Sequence, residues 1–304
     1  MISGLAVVAK PAGMTSHDVV GRCRRIFAQR RVGHAGTLDP DATGVLLVGL
    51  GGATRLLRYL TGLPKSYECR IVLGRATSTL DASGAVTEEW DMSQVTLEEA
   101  RAAAEGLSGH IDQIPPMVSA IKIGGRRLHQ LAREGVEVDR PARSVHIAEF
   151  EVDFEPTERF PALGPPPIPA VRDGPVLAAR VTCSSGTYVR SLAADLGTAL
   201  GGGAHLRDLV RTAVGPWGLA DATPLDALGP EHVQPPVAAV RMLESVTLPE
   251  DLVGPVGHGR VLDRELLGVA GTGPWAVLAP SGELLAVYAD RGGGTAKPAV
   301  VMAR

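Results

Sequence analysis

The stretch Gly33-His34-Ala35-Gly36-Thr37-Leu38-Asp39-Pro40-Asp41-Ala42-Thr43-Gly44 decides how this chain is read. It sets three glycines, a histidine and two carboxylates in a loop between a basic helical pattern and an apolar run. Asp before Pro forms turns, and reactive side chains favour loops held by a rigid scaffold. Upstream, Leu5 to Ala9 predicts a strand, then a Pro-Ala-Gly turn and a helix from about Ser16, where Thr15 and Asp18 match a capping signal. Val19, Val20, Cys23, Ile26 and Phe27 recur at helical spacing, so they form a buried face and leave Arg22, Arg24 and Arg25 toward solvent. Downstream, Val45 to Leu50 reads as a continuous apolar strand that turns at Gly49 to Thr54 into a short helix near Ala53 to Leu60. That turn lacks the third glycine and the downstream acid of a dinucleotide site, so it is read as a tight strand-to-helix turn. Asp39 and Asp41 flank one proline, whereas glycosidase carboxylate pairs come from distant segments.

Farther along, Tyr67, Cys69, Ile71 and Leu73 alternate with Glu68, Arg70 and Val72, which predicts a strand. Thr96 and Glu99 form a capping box for a helix using Leu97, Ala100, Ala104 and Leu107. Strands fit Met117 to Ile123, Val145 to Phe154 and Val176 to Cys183, with a helix from about Thr187 to Leu200. A parity shift between Ile147 and Phe150 predicts a bulge. The prolines of residues 156–175 predict a stiff, exposed insertion between two strands. Trp275 to Met302 is strand-like, with turns at Ser281-Gly282 and Gly292 to Gly294.

A length of 304 residues predicts about two domains, and no apolar run approaches the roughly 20 residues of a membrane span. No signal peptide is expected, because Lys10 follows the first apolar run. Three scattered cysteines offer no disulfide framework and point to a reducing cytoplasm. The eight histidines show no metal-ligand spacing, so no metal site is expected. The net charge of −3 conceals an asymmetry. Residues 1–60 hold eight basic side chains against three acids, whereas residues 221–304 hold six against ten. The basic end suits a polyanion and the acidic end does not.

The central string resembles the catalytic motif of the TruB family of tRNA pseudouridine synthases, G-H-x-G-x-L-D-P-x-A-x-G. Four further blocks follow in the family's order: Lys65-Ser66-Tyr67 with Gly74 and Thr77 to Gly84; Pro115 to Lys122 with Gly124 to Gly135; Cys183 to Arg190; and Gly203 to Thr212. The resemblance covers roughly residues 5 to 217.

The resemblance implies an α+β fold, a mixed and largely antiparallel sheet flanked by helices, followed by a small β-rich PUA-like domain. The boundaries it suggests are 1–235 for the catalytic domain and 245–304 for the tail, with an RNA-gripping insertion at about 112–143 and the Pro-rich insertion at 156–175. It implies isomerisation of a tRNA T-loop uridine to pseudouridine, with the base flipped out of the loop and no cofactor, since redox state and composition are unchanged. Asp39 becomes the catalytic carboxylate, acting either as nucleophile at C1′ or as base on the sugar. Arg190 becomes the bidentate cation that keeps it ionised, and Tyr67 the ring that meets the target base. His34 takes the space the base vacates, and Leu209 and Tyr188 line the site. Asp81 shapes the site through polar contacts. Lys122, Arg126, Arg127 and Arg143 meet phosphates, which makes affinity salt-dependent.

The partner implied is the tRNA T-arm, with no membrane, no obligatory protein partner and a monomeric, cytoplasmic enzyme. Two rivals stand beside this reading: a guide-RNA-dependent relative, and an RNA-binding or RNA-folding protein without catalysis. The start of the first strand at Leu5 argues against the former, and intact Asp39, Tyr67 and Arg190 against the latter.

Overall fold

A computed structural model describes residues 1–119, 122–123, 125–128, 131, 134, 136, 138–164 and 174–302. By contacts the chain forms two compact units, residues 1–63 with 214–304, and residues 64–213.

In the first unit the strand Gly4–Lys10 pairs antiparallel with Thr43–Leu50, from Gly4↔Leu50 to Lys10↔Gly44. Short strands at Thr223–Pro224 and Val233–Gln234 flank it, and Val32–Ala35 adds to the far side of Thr43–Leu50. The apolar runs have no polar face because both faces are covered. Leu5, Val7, Val45 and Leu47 point into a cluster with Leu56, Leu60 and Trp217. Ala6, Val8, Leu46 and Val48 pack on Val19, Val20, Cys23 and Phe27 of the helix Ser16–Ile26 and its end. The Thr15–Asp18 capping box forms as expected. The beginning of the central motif departs from expectation: residues 32–35 are strand, with His34 opposite Val48. Pairing satisfies their backbone groups on the edge that Thr43–Leu50 offers, so the loop proper is shorter.

The tail belongs to this unit and carries its own sheet, in the order Glu244–Thr247, Trp275–Leu278, Leu284–Gly292, Thr295–Val301, Leu262–Asp263. One set of its side chains, including Val277, Leu285 and Tyr288, packs on Val253 and Val256 of the helix Glu250–Gly257. Another set, Ala276, Leu284, Val287 and Val300, joins the cluster of Leu5 and Trp217. Both expected turns occur, with Gly282 and Gly292 to Gly294 in the left-handed region.

In the second unit the strands run Ala204–Val214 (its last residue in the first unit), Lys65–Leu73, Val176–Cys183, Arg143–Phe154 and Gly109–Gln113. The last four pair antiparallel throughout. The bulge expected in the Arg143–Phe154 strand falls between Ile147 and Glu149. The helix Leu97–Gly106, with its Thr96–Glu99 capping box, lies against that strand and the helix Val189–Ala199.

Two expectations change here. Met117 to Ile123 is not one strand: residues 117–119 form a bend, Ala120 and Ile121 lie outside the described residues, and Lys122–Ile123 pairs with Arg126–Arg127 in a short hairpin. The Pro-rich insertion is not wholly exposed either. Phe160 is 2% exposed, and the first part of the segment packs over Glu68 and Arg70, which are themselves buried. Glu68 accepts from the Ala162 N–H at 2.8 Å and from Arg180 at 3.1 Å. Residues 165–173 lie outside the described residues.

Candidate active site

In the first unit, Asp39 sits half-buried at the start of a turn, its carbonyl accepting from the Ala42 N–H at 3.2 Å. Pro40 follows it, with φ fixed by its ring for that turn. Both neighbours of Asp39 are held by buried side chains. Ser16 Oγ, in the first turn of its helix, accepts from the Leu38 N–H at 2.8 Å and donates to the Leu38 carbonyl at 3.2 Å. Lys10 Nζ, at the end of the first strand and 1% exposed, donates to the Pro40 carbonyl at 2.9 Å and to the Pro11 carbonyl at 2.8 Å. Gly36 (φ +87°) and Gly44 (φ +102°) supply left-handed backbone that an L side chain disfavours at both ends of the loop. His34 is half-buried on its strand.

On the same unit a group of arginines faces solvent. Arg24, Arg25, Arg30 and Arg31 are exposed, and Arg24 and Arg31 bond to backbone and hydroxyl oxygens rather than to carboxylates. Burial and the charge of Arg31 together lower the pKa of Arg55.

In the second unit, Arg190 lies in the first turn of Val189–Ala199 and is 4% exposed. Its guanidinium donates to the Thr79 carbonyl at 3.0 Å and the Val118 carbonyl at 2.9 Å, and its Nε lies 3.6 Å from Asp81. Asp81 is fixed in turn by Thr79 Oγ1 at 2.6 Å and by the Ser83 N–H at 3.1 Å. Arg190 and Asp81 therefore meet. Tyr188, half-buried, is clamped through its backbone by buried Gln113, which accepts from its N–H at 2.7 Å and donates to its carbonyl at 3.1 Å.

Tyr67 is 7% exposed on the strand Lys65–Leu73 and hydrogen-bonds to Arg211, which is fully buried on the neighbouring strand. Lys65, two residues before Tyr67, stands opposite Cys183. Burial and the charge of Arg211 lower Lys65 to about 8, while burial raises the Cys183 thiol to about 11. Leu209 is half-buried on the strand of Arg211. Of the basic residues assigned to phosphates, Arg143 is exposed, Arg126 is exposed and paired with Glu134, and Lys122 and Arg127 have their backbones in the short hairpin.

Ser16, Lys10, Gln113 and Arg211 were not predicted. Gln113 and Ser16 carry no signal in a single sequence. Lys10 and Arg211 do carry one, a charged residue at the end of a strand or inside an apolar pattern, which only burial makes meaningful. Among the described residues no cluster of three metal-ligating side chains occurs, and no helix is long and apolar enough to cross a membrane. All three cysteines are free and buried.

The family description "TruB family pseudouridylate synthase (N terminal domain)" matches residues 24–189. A tRNA pseudouridine synthase B of Mycolicibacterium paratuberculosis is 48% identical over 302 residues, covering 98% of this chain and 97% of the relative. One from an Arthrobacter species is 45% identical over 316 residues, covering 100% and 97%. Among solved structures, a Cbf5-Nop10-Gar1 complex contains a chain with TM-score 0.70 and 26% identity, over 99% of this chain and 84% of that one. An H/ACA RNP bound to a substrate RNA containing 2′-deoxyuridine gives TM-score 0.69 at 24% identity, over 99% and 85%. The fold is the α+β pseudouridine synthase fold with a β-rich, PUA-like tail, and the chain belongs to the TruB family of pseudouridylate synthases.

Proposed function

We propose that the protein isomerises the T-loop uridine of tRNA, at position 55, to pseudouridine, with Asp39 as the catalytic carboxylate. The observation that carries this is the bracing of Asp39 from both sides: Leu38 is held by Ser16 and Pro40 by Lys10. Such fixing of the neighbouring backbone holds a reactive group near its working geometry. In the reaction the bond from C1′ to N1 breaks, the base rotates, C1′ bonds to C5, and the C5 proton is lost as N1 regains one. An ionised carboxylate beside C1′ assists the departure of the base.

Tyr67 meets the extruded base, and Arg190, held by Asp81, supplies fixed positive charge to the site. His34 occupies the gap left in the T-loop, while Tyr188 and Leu209 line the pocket. Lys122, Arg126, Arg127 and Arg143 contact phosphates, joined by the exposed arginines of the first helix. Residues 1–235 form the catalytic domain and 245–304 the PUA-like tail. The enzyme acts as a cytoplasmic monomer on the tRNA T-arm, without metal, cofactor or protein partner. The names of the relatives support the substrate class. Incubating the purified protein with an unmodified T-arm stem-loop, without guide RNA or cofactor, tests the reading: pseudouridine at the T-loop position is expected, and its absence rejects the stand-alone activity.

A further inference from the structure

Three non-glycine residues among those described have positive φ: Ala28, Leu80 and Asp208. Ala28 follows a helix end and Leu80 lies in a turn, but Asp208 (φ +51°) stands in the middle of the strand Ala204–Val214. Left-handed backbone is unfavourable for an L-residue, and Asp and Asn tolerate it better than others. Strain of this kind persists only where the surroundings hold it, and it concentrates near functional sites.

Arg70 supplies the hold. Its side chain is 3% exposed, and its guanidinium donates to Asp208 at 3.3 Å, to Glu155 at 2.9 Å, and to the carbonyls of Leu163 and Gly164 at 3.3 and 2.9 Å. A guanidinium stays charged at any working pH, so this buried cation pulls on the Asp208 carboxylate permanently. The Asp208 carboxylate itself is exposed and also lies 3.3 Å from Arg207 Nε, so solvent screens the attraction and stability alone is a weak reason for the pair.

The geometry gives the pair another role. Along the strand Lys65–Leu73, Arg70 and Tyr67 fall on opposite faces by alternation. Asp208 meets Arg70, whereas Arg211 meets Tyr67, so the strand Ala204–Val214 is pinned from behind and reads the site in front. Leu209 directly follows the strained residue and shares a face with Arg211.

We infer that Arg70 and Asp208 are a positioning pair, which fixes the backbone at Asp208 so that Leu209 and Arg211 present their side chains correctly to the base-binding side of the site. This rests on the proposed isomerase reading for its consequence in catalysis, but not for the geometry itself. The same guanidinium ties down the beginning of the Pro-rich insertion, so that segment and the site strand share one anchor.

The test compares Asp208→Ala with Asp208→Asn. Alanine loses both the ion pair and the tolerance of left-handed backbone, while asparagine keeps that tolerance and a hydrogen bond to Arg70. Misplacement of this order is expected to lower kcat roughly tenfold to a hundredfold in Asp208→Ala, with KM for the T-arm stem-loop nearly unchanged, and Asp208→Asn is expected to recover most of the rate. A second readout is independent of catalysis: with four tyrosines in the chain, the Tyr67 ring signal in NMR is assignable by Tyr67→Phe. It should shift in Asp208→Ala and return in Asp208→Asn. An unshifted ring in Asp208→Ala, or Asn failing to restore what Ala loses, overturns the inference. A wild-type protein that makes no pseudouridine rejects the isomerase reading, while the ring signal still decides the pair.

Discussion

Ser16 shows how much one buried hydroxyl does. It binds both the N–H and the carbonyl of Leu38, the residue immediately before Asp39. Ser16→Ala leaves both groups without this partner, at a cost of about 1–2 kcal/mol in stability, and is expected to lower kcat about tenfold with little change in KM, since the misplaced carboxylate still lies in an intact site. Steady-state kinetics beside a urea titration separate the two effects.

Lys65 gives a pH signature. Its folded pKa of about 8 lies below the unfolded value of about 10.4, so the unfolded chain binds more protons between these values. Stability is therefore expected to rise from pH 8 to about pH 10, by on the order of 3 kcal/mol at most, and to lose that increment as pH falls through 8. Lys65→Met should flatten the dependence of the urea midpoint on pH in that window. The motif that holds the proposed carboxylate, Asp39, is legible in the sequence because it is contiguous. Ser16 and Lys10 are not, because their role exists only where three segments meet. Glu68 and Arg70 alternate with apolar residues along their strand, and a segment some ninety residues later covers them, a burial that the alternation does not announce.

Elements were legible where local chemistry alone decides them. Both capping boxes follow from a hydroxyl and an acid three residues apart, and both form. Thr96→Ala removes an acceptor for the Glu99 N–H and should destabilise the protein by about 1 kcal/mol in urea unfolding, without changing turnover. The helix Glu250–Gly257 escaped the sequence reading because Gly254, Pro255 and Gly257 all count against a helix. Packing of Val253 and Val256 on the tail sheet overrides that preference. Residues 33–35 read as loop because glycine and histidine lack strand character, whereas Thr43–Leu50 supplies backbone partners that make Val32–Ala35 a strand.

At the scale of the molecule, the charge asymmetry and the core divide the chain differently. The acidic tail contributes Ala276, Leu284, Val287 and Val300 to the same cluster as Leu5 and Trp217 of the basic first segment. Sequence patterns locate strands, but they do not say which apolar faces share a core. The basic segment supplies both the exposed arginines and the braced Asp39 loop, so the groups proposed for RNA attraction and for carboxylate chemistry are encoded together near the start of the chain. The most direct measurement compares wild type with Asp39→Asn on an unmodified T-arm stem-loop, scoring both pseudouridine formation and RNA affinity. The account predicts no detectable pseudouridine from the variant with affinity within about threefold, since removing one carboxylate charge subtracts no phosphate contact. A variant that still turns over at a rate near wild type contradicts it.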